Sequence, residues 1–337
     1  MMARPVPSAP GERKIMDRFD NIPETALDWH RAGKGAALAT VVETWGSAPR
    51  RVGAQLAIGG DGRIEGSVSG GCVEGAVIVE ALEALEEGQA RLLEFGVSDE
   101  DAFAVGLACG GTIRVLVEPV GKVLPEEMLA ELVAARAGRQ ALAYEVNTET
   151  GRRALRRDGH AERMRMDRSG FEPDGRTFVA IHNPPLRLIA VGAVHIAQAL
   201  VPMARIAGYD PVIIDPRDAF ASAARFPGEQ IVTDWPDEAV AQLGLDARTA
   251  LVLLTHDPKI DDPALEAALR ADVFYIGALG STRTQAKRVD RMQAAGFTAD
   301  QIARIHGPIG LDIGAAGPAE IAVAILAQMT AVLRGKA

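Results

Sequence analysis

The sequence predicts an α/β protein in which an N-terminal mixed α+β part precedes a C-terminal doubly wound parallel sheet. Three observations predict it. From Leu186 onward, short apolar runs alternate with helical patterns, as the strands of a parallel sheet covered on both faces must. The first of those runs leads into a glycine turn and a helix, and an aspartate closes the next run. Before Leu186 the runs are joined by short turns such as Gly59-Gly60-Asp61-Gly62, which suit hairpins, and Pro184-Pro185 separates the two regimes. The expected organisation is a mobile tail over residues 1–16, an N-terminal domain over 17–183 and a C-terminal domain over 186–333.

In the first part, Ala36 to Val42 reads as a strand between Gly35 and Gly46, followed by the loop Trp45-Gly46-Ser47-Ala48-Pro49-Arg50-Arg51. Short strands are expected around Gln55–Ile58 and Ile64–Val68. After Ser69-Gly70-Gly71-Cys72, the apolar spacing of Val73, Val77, Ile78, Ala81, Leu82 and Leu85 predicts a helix that Gly88 ends. A strand at Arg91–Phe95, an acidic loop from Ser98 to Asp101, and the turn Ala108-Cys109-Gly110-Gly111 lead to a strand at Thr112–Val117. Pro125 to Ala137 reads as a helix, Ala141–Val146 with Arg152–Leu155 as a hairpin, and Phe178–Ile181 as one more strand.

In the second part, strands are expected at Leu188–Val191, Val212–Ile214, Ile231–Val232, Leu251–Thr255 and Val273–Ile276. Helices fill the gaps at Ile196–Ala207, Pro236–Leu243, Pro263–Ala271 and Thr284–Ala295. A last helix runs from Pro318 to Leu333, where proline in the first turn and Glu320 beside it suit a helix start.

Composition narrows the function. A chain of 337 residues with 48% apolar content buries a sizeable core, which excludes a disordered or fibrous protein. The net charge of −9 argues against nucleic acid and anionic membrane surfaces as partners. No apolar run reaches the roughly 18 residues that span a bilayer, and the first residues hold no signal-like stretch. A soluble, cytoplasmic protein is expected. Its two cysteines, Cys72 and Cys109, are too few for a disulfide scaffold and suit a reduced compartment.

Five groups of residues are candidates for chemistry. Gly192-Ala193-Val194-His195 opens a helix, and Asp215 follows 23 residues after Gly192, the layout of a Rossmann-like dinucleotide unit in which the acid takes ribose hydroxyls. Val194 stands where a second glycine would let a pyrophosphate approach, and the alternative is that Asp215 caps the turn at Pro216. His195 and His256, with Asp257, follow strand ends that share one crevice, although either histidine alone suits an ordinary loop. Gly280, Ser281 and Arg283 could cradle a phosphate, or form a close-packed turn. Cys72 and Cys109 each sit in a glycine nest, Ser69-Gly70-Gly71 before one and Gly110-Gly111 after the other. Such a thiolate suits a soft metal or sulfur exchange, whereas two small buried hydrophobes are the plain alternative. The glycine-punctuated apolar segment Ile305–Gly314 is expected to pack into the crevice or onto the other domain.

Together these residues resemble a family. Gly46-Ser47-Ala48-Pro49-Arg50, Gly66 to Gly75, Cys109-Gly110-Gly111-Thr112, Thr255-His256-Asp257, Gly277 to Ser281 and Pro308 to Ala315 are similar in order to the XdhC/CoxI family. These are the accessory proteins of xanthine dehydrogenase and related molybdenum hydroxylases. The family usually carries Gly-Ala-Gly-His where this chain has Gly192-Ala193-Val194-His195.

The resemblance implies an XdhC-type N-terminal domain and a role as chaperone rather than catalyst. It implies binding of molybdenum cofactor (molybdopterin, or its cytosine dinucleotide form), protection from oxidation, help with sulfuration from a cysteine desulfurase, and insertion into an apo molybdenum hydroxylase. Family habit implies a homodimer. On this expectation the crevice holds the phosphate or nucleotide end through Gly192, His195, Asp215, Gly280, Ser281 and Arg283, while Cys72 and Cys109 face the molybdenum across a domain interface. An NAD(P)-dependent oxidoreductase and a non-catalytic adaptor for the desulfurase are the competing readings.

Overall fold

The structure, a computed structural model, describes residues 21–46, 50–96 and 111–336. Cys109 and Gly110, the acidic loop Ser98–Asp101, Ser47 to Pro49 and the tail lie outside the described residues.

The N-terminal part begins with α1 (Ile22–Arg31), which the sequence reading left out although a proline in its first turn marks it. Strands β1 (Ala36–Trp45), β2 (Gln55–Gly59) and β3 (Ile64–Gly66) precede α2 (Glu74–Glu87), β4 (Arg91–Phe95) and β5 (Thr112–Pro119). They form an antiparallel sheet in the order β3-β2-β1-β5-β4. Strand β1 is apolar over most of its length because both its faces are covered. Ala37, Ala39 and Val41 pack with Val77 and Ala81 of α2, and Ala36, Leu38 and Val42 pack toward α1 and a second sheet. Gly88 ends α2 at φ +69, donating its N–H to Ala84 O at 2.8 Å, so glycine supplies the left-handed cap.

The second sheet follows α3 (Glu126–Ala137). It comprises β6 (Leu142–Asn147), β7 (Arg153–Arg156), β8 (Gly170–Phe171) and β9 (Thr177–His182) in the order β7-β6-β9-β8, with α4 (Ala161–Met166) between β7 and β8.

The C-terminal part is a six-stranded parallel sheet. Its strands are β10 (Leu186–Val191), β11 (Tyr209–Ile214), β12 (Gln230–Val232), β13 (Thr249–Leu253), β14 (Tyr275–Ala278) and β15 (Ile305–His306), in the order β12-β11-β10-β13-β14-β15. Helices α5 (His195–Ile206) and α10 (Pro318–Leu333) cover one face. The other face takes α6 (Pro236–Leu243), α7 (Pro258–Arg270), α8 (Thr282–Ala294) and the short α9 (Ala299–Ala303). The order reverses between β10 and β13, which makes this a doubly wound, Rossmann-like sheet.

Two expectations change here. Helix α7 starts at Pro258 rather than Pro263, because Asp257 caps it by accepting from Lys259 N at 3.0 Å and Pro258 takes the first position. The segment Ile305–Gly314 packs only in part. Ile305 joins the sheet as β15, and Ile309 is buried with its N–H on Ala278 O, but Leu311 and Ile313 are 41% and 53% exposed.

The two parts meet at the amino ends of the parallel strands. Arg139 makes a bidentate pair with Asp246, at 2.6 and 3.1 Å, and donates to Pro185 O at 3.1 Å. Arg248 donates to Pro184 O at 3.1 Å. Each apolar cluster among the described residues belongs to one part alone, so the junction is polar.

Candidate functional site

The carboxyl ends of β10, β13 and β14, neighbours in the sheet, bring Gly192, His256 and Gly280 to one edge. Gly192 holds φ +110 and donates to Ile214 O at 2.8 Å; a side chain there would meet Thr255 Cγ2 at 2.7 Å. Glycine is therefore required by the neighbouring loop, whatever the turn binds. His195 opens α5 and is exposed, and α5 has no side-chain cap.

His256 is exposed and adopts φ +65, which residues with a side chain rarely do. Buried Asp261 holds it there. One carboxylate oxygen accepts from His256 N at 3.1 Å and the other from Thr255 Oγ1 at 2.6 Å. Ser281 uses its hydroxyl to cap α8, accepting from Thr284 N at 3.2 Å, and Arg283 is exposed beyond it.

Asp215 does not present a free acceptor to a ribose. It is fully buried, and its carboxylate accepts from Ala193 N at 2.8 Å, Arg217 N at 3.0 Å and the Arg217 guanidinium at 2.8 and 2.7 Å. Burial pushes this carboxyl up, but the Arg217 and Ala193 donors outweigh burial and hold it below the usual aspartate range. The turn-capping alternative describes it better.

The nest at Ser69, Gly70 and Gly71 is likewise closed by the chain itself. The Glu74 carboxylate accepts from Val68 N at 3.2 Å, Ser69 N at 2.9 Å, Gly71 N at 2.9 Å, Ser67 Oγ at 2.7 Å and the Ser69 hydroxyl. Gly70 N donates to Ser67 Oγ at 2.8 Å, and Val73 N to Ser69 Oγ at 2.9 Å. The chain's own carboxylate thus fills the glycine nest beside Cys72. Burial raises the Glu74 carboxyl, yet the Ser69 and Ser67 donors hold it at about 2. The loop presents Cys72, half-buried and packed at the edge of the α2 core. Gly111 is buried at the entry to β5.

The sequence reading missed a third place. A cavity of about 500 Å³ lies where the two parts meet, lined by Arg50, Arg51, Arg136, Asp167, Arg248 and Arg334 among others. It also touches Leu186, Gly208 and Arg248, which stand at the amino ends of β10, β11 and β13. The junction is thus at the opposite end of the strands from Gly192, His195, His256, Gly280, Ser281 and Arg283. Those residues and Cys72 do not face each other across it within one chain, because the N-terminal part docks on the other pole. The local signal was Arg50-Arg51; its partners arrive from distant sequence.

Fold and junction define a class: a mixed α+β N-terminal part joined to a Rossmann-like C-terminal part. The model of the XdhC Rossmann domain matches residues 188–329, and that of the XdhC and CoxI family matches residues 29–96. The molybdenum cofactor insertion chaperone PaoD of Escherichia coli (strain K12) is 33% identical over 327 residues, covering 96% of this chain and 91% of that protein. A protein of Bacillus subtilis (strain 168), described as a probable subunit of xanthine dehydrogenase, is 28% identical over 313 residues, 87% of this chain and 92% of that protein. Among solved structures, a protein of Bacillus halodurans described as a xanthine dehydrogenase superposes with a TM-score of 0.73 at 26% identity, over 94% of this chain and 96% of that one. The chain belongs to the XdhC/CoxI family.

Proposed function

We propose that this protein is a molybdenum cofactor chaperone that carries the cofactor as cargo and inserts it into a molybdenum hydroxylase of the xanthine dehydrogenase type. The observation that carries this reading is the 33% identity to a molybdenum cofactor insertion chaperone across nearly the full length of both chains. The residues fit a cargo held by its organic part. No group of three or more metal-ligating side chains occurs among the described residues. The soft donor on offer is Cys72, set on a loop that Glu74 makes rigid. In this reading Cys72, with Cys109, faces the molybdenum end and shields it.

Sulfuration with a cysteine desulfurase, use of the cytosine dinucleotide form, a homodimer and a cytoplasmic site of action belong to the same reading. No helix among the described residues is long and apolar enough to cross a membrane. The nicotinamide-dependent alternative loses support, because Asp215 is occupied by Arg217 and Ala193.

The test is reconstitution of an apo molybdenum hydroxylase with molybdopterin, with and without this protein, then with C72A. Activation that requires the protein and falls in C72A supports the reading. Equal activation without the protein refutes it. Adding the desulfurase separates sulfuration from insertion.

A further inference from the structure

The cleft where the two parts meet carries charge that its own lining does not balance. Arg50 and Arg51 line it from the loop before β2, Arg136 from the end of α3, Arg248 from the turn before β13, and Arg334 from the end of α10. The lining carboxylate, Asp167, is shared: it pairs with Arg51 at 3.0 Å, accepts from Asn183 at 2.9 Å and also attracts the Arg248 guanidinium. Arg136 is met by Glu24 at 2.7 Å. Arg248 donates through Nε to Pro184 O, and its two terminal amino groups meet no acceptor among the described residues. Arg334 makes no side-chain hydrogen bond or ion pair among them. Among the described residues Arg50 uses only Nε, on Ser67 O at 3.2 Å. His182 adds no charge, since burial, with the Arg136 guanidinium beside it, holds its imidazole down to about 3.

A guanidinium stays protonated in any protein environment. Water offsets much of the charge of exposed Arg51 and Arg334, but five guanidiniums facing Asp167 and Glu24 leave the cleft net positive and attractive to an anion. We propose that this cleft binds a phosphate-bearing small molecule, its phosphate held by Arg248, Arg334 and Arg50 from both sides of the junction. Forked guanidinium donors match phosphate oxygens, and a volume of about 500 Å³ suits a small ligand.

The walls are set in advance. Gly53, in the same loop as Arg50 and Arg51, has φ +91 and sits so close to Ser169 that a Cβ would fall 2.6 Å from its hydroxyl oxygen. The Arg139–Asp246 pair joins the two sides nearby. Through Ser67, Arg50 also ties this wall to the loop that presents Cys72. The site stands on the chemistry of the cleft; naming the phosphate of the cofactor as its occupant rests on the chaperone reading. A free nucleotide is the other source of the same chemistry.

Calorimetric titration of the full chain with inorganic pyrophosphate, CDP and molybdopterin tests this, in wild type, R248Q, R334Q and the exposed charge control R176Q, each checked for an unchanged thermal midpoint. Wild type is expected to bind pyrophosphate one to one, more weakly as salt rises. R248Q and R334Q are each expected to weaken it about tenfold or more, and R176Q to leave it unchanged. Molybdopterin binding tighter than CDP, and lost in R248Q and R334Q, supports the cofactor phosphate as occupant; the reverse order supports a nucleotide in the same site. Absence of pyrophosphate binding, or affinity unchanged in both R248Q and R334Q, overturns the site. The chaperone reading fails differently: pyrophosphate still binds in the cleft, but the protein no longer promotes hydroxylase activation.

Discussion

The carboxylate of Glu74 accepts from both the backbone N–H and the hydroxyl of Ser69, and so closes the turn that carries Cys72. Replacing it by E74Q removes the charge from this ring of donors and is expected to cost about 1–3 kcal/mol of stability, read by urea unfolding.

The pH dependence of that difference follows from the Glu74 carboxyl being held at about 2 against an ordinary 4.5. Its folded value is depressed, so its contribution is fully present above about 4.5 and fades as pH falls through about 2. The gap between wild type and E74Q should therefore be constant near neutrality and close on acidification. A gap that widens in acid would contradict the assignment.

Asp215 and Gly192 are expected to behave as structural residues of the crevice. D215N leaves the Ala193 and Arg217 donors with a weaker acceptor and should cost about 1–3 kcal/mol. G192A forces a side chain onto φ +110 and onto Thr255, with a penalty of about 1–3 kcal/mol. Both are measured by thermal and urea unfolding. A fluorescence titration with NADH should show no saturable binding to wild type.

The Arg139–Asp246 pair is expected to hold the two parts in register. A double-mutant cycle of R139A and D246A should return a coupling of about 1 kcal/mol. Hydrogen exchange of the amides around Leu186 and Arg187 should quicken in R139A. Zero coupling would mean that other contacts set the junction.

Much of the fold was legible because it is encoded locally. The unbroken apolar run at Leu188–Val191 marks a strand covered on both faces, and the last helix occupies Pro318–Leu333 as its proline start implies. The Asp215 turn was half legible, since Arg217 lies two residues on and the capping alternative was open. Glu74, just past Ser69-Gly70-Gly71, was the available sign that the nest has an internal occupant. The arginine cleft was not legible. Arg50, Arg248 and Arg334 lie far apart in the chain, and only the docking of the N-terminal part on the amino ends of β10 and β13 collects them. No periodicity or motif records a neighbourhood made by tertiary packing.

Strand β10 has six residues, so its two ends stand about 20 Å apart. One end abuts the guanidinium-lined hollow and the other runs into the Gly192 turn. A compact guest seated at one pole cannot reach the opposite one through a rigid, fully hydrogen-bonded sheet. Within a single copy, an anion seated in that hollow would therefore sit a full strand length from Gly192, His195 and His256, and should leave the Gly192 turn undisturbed.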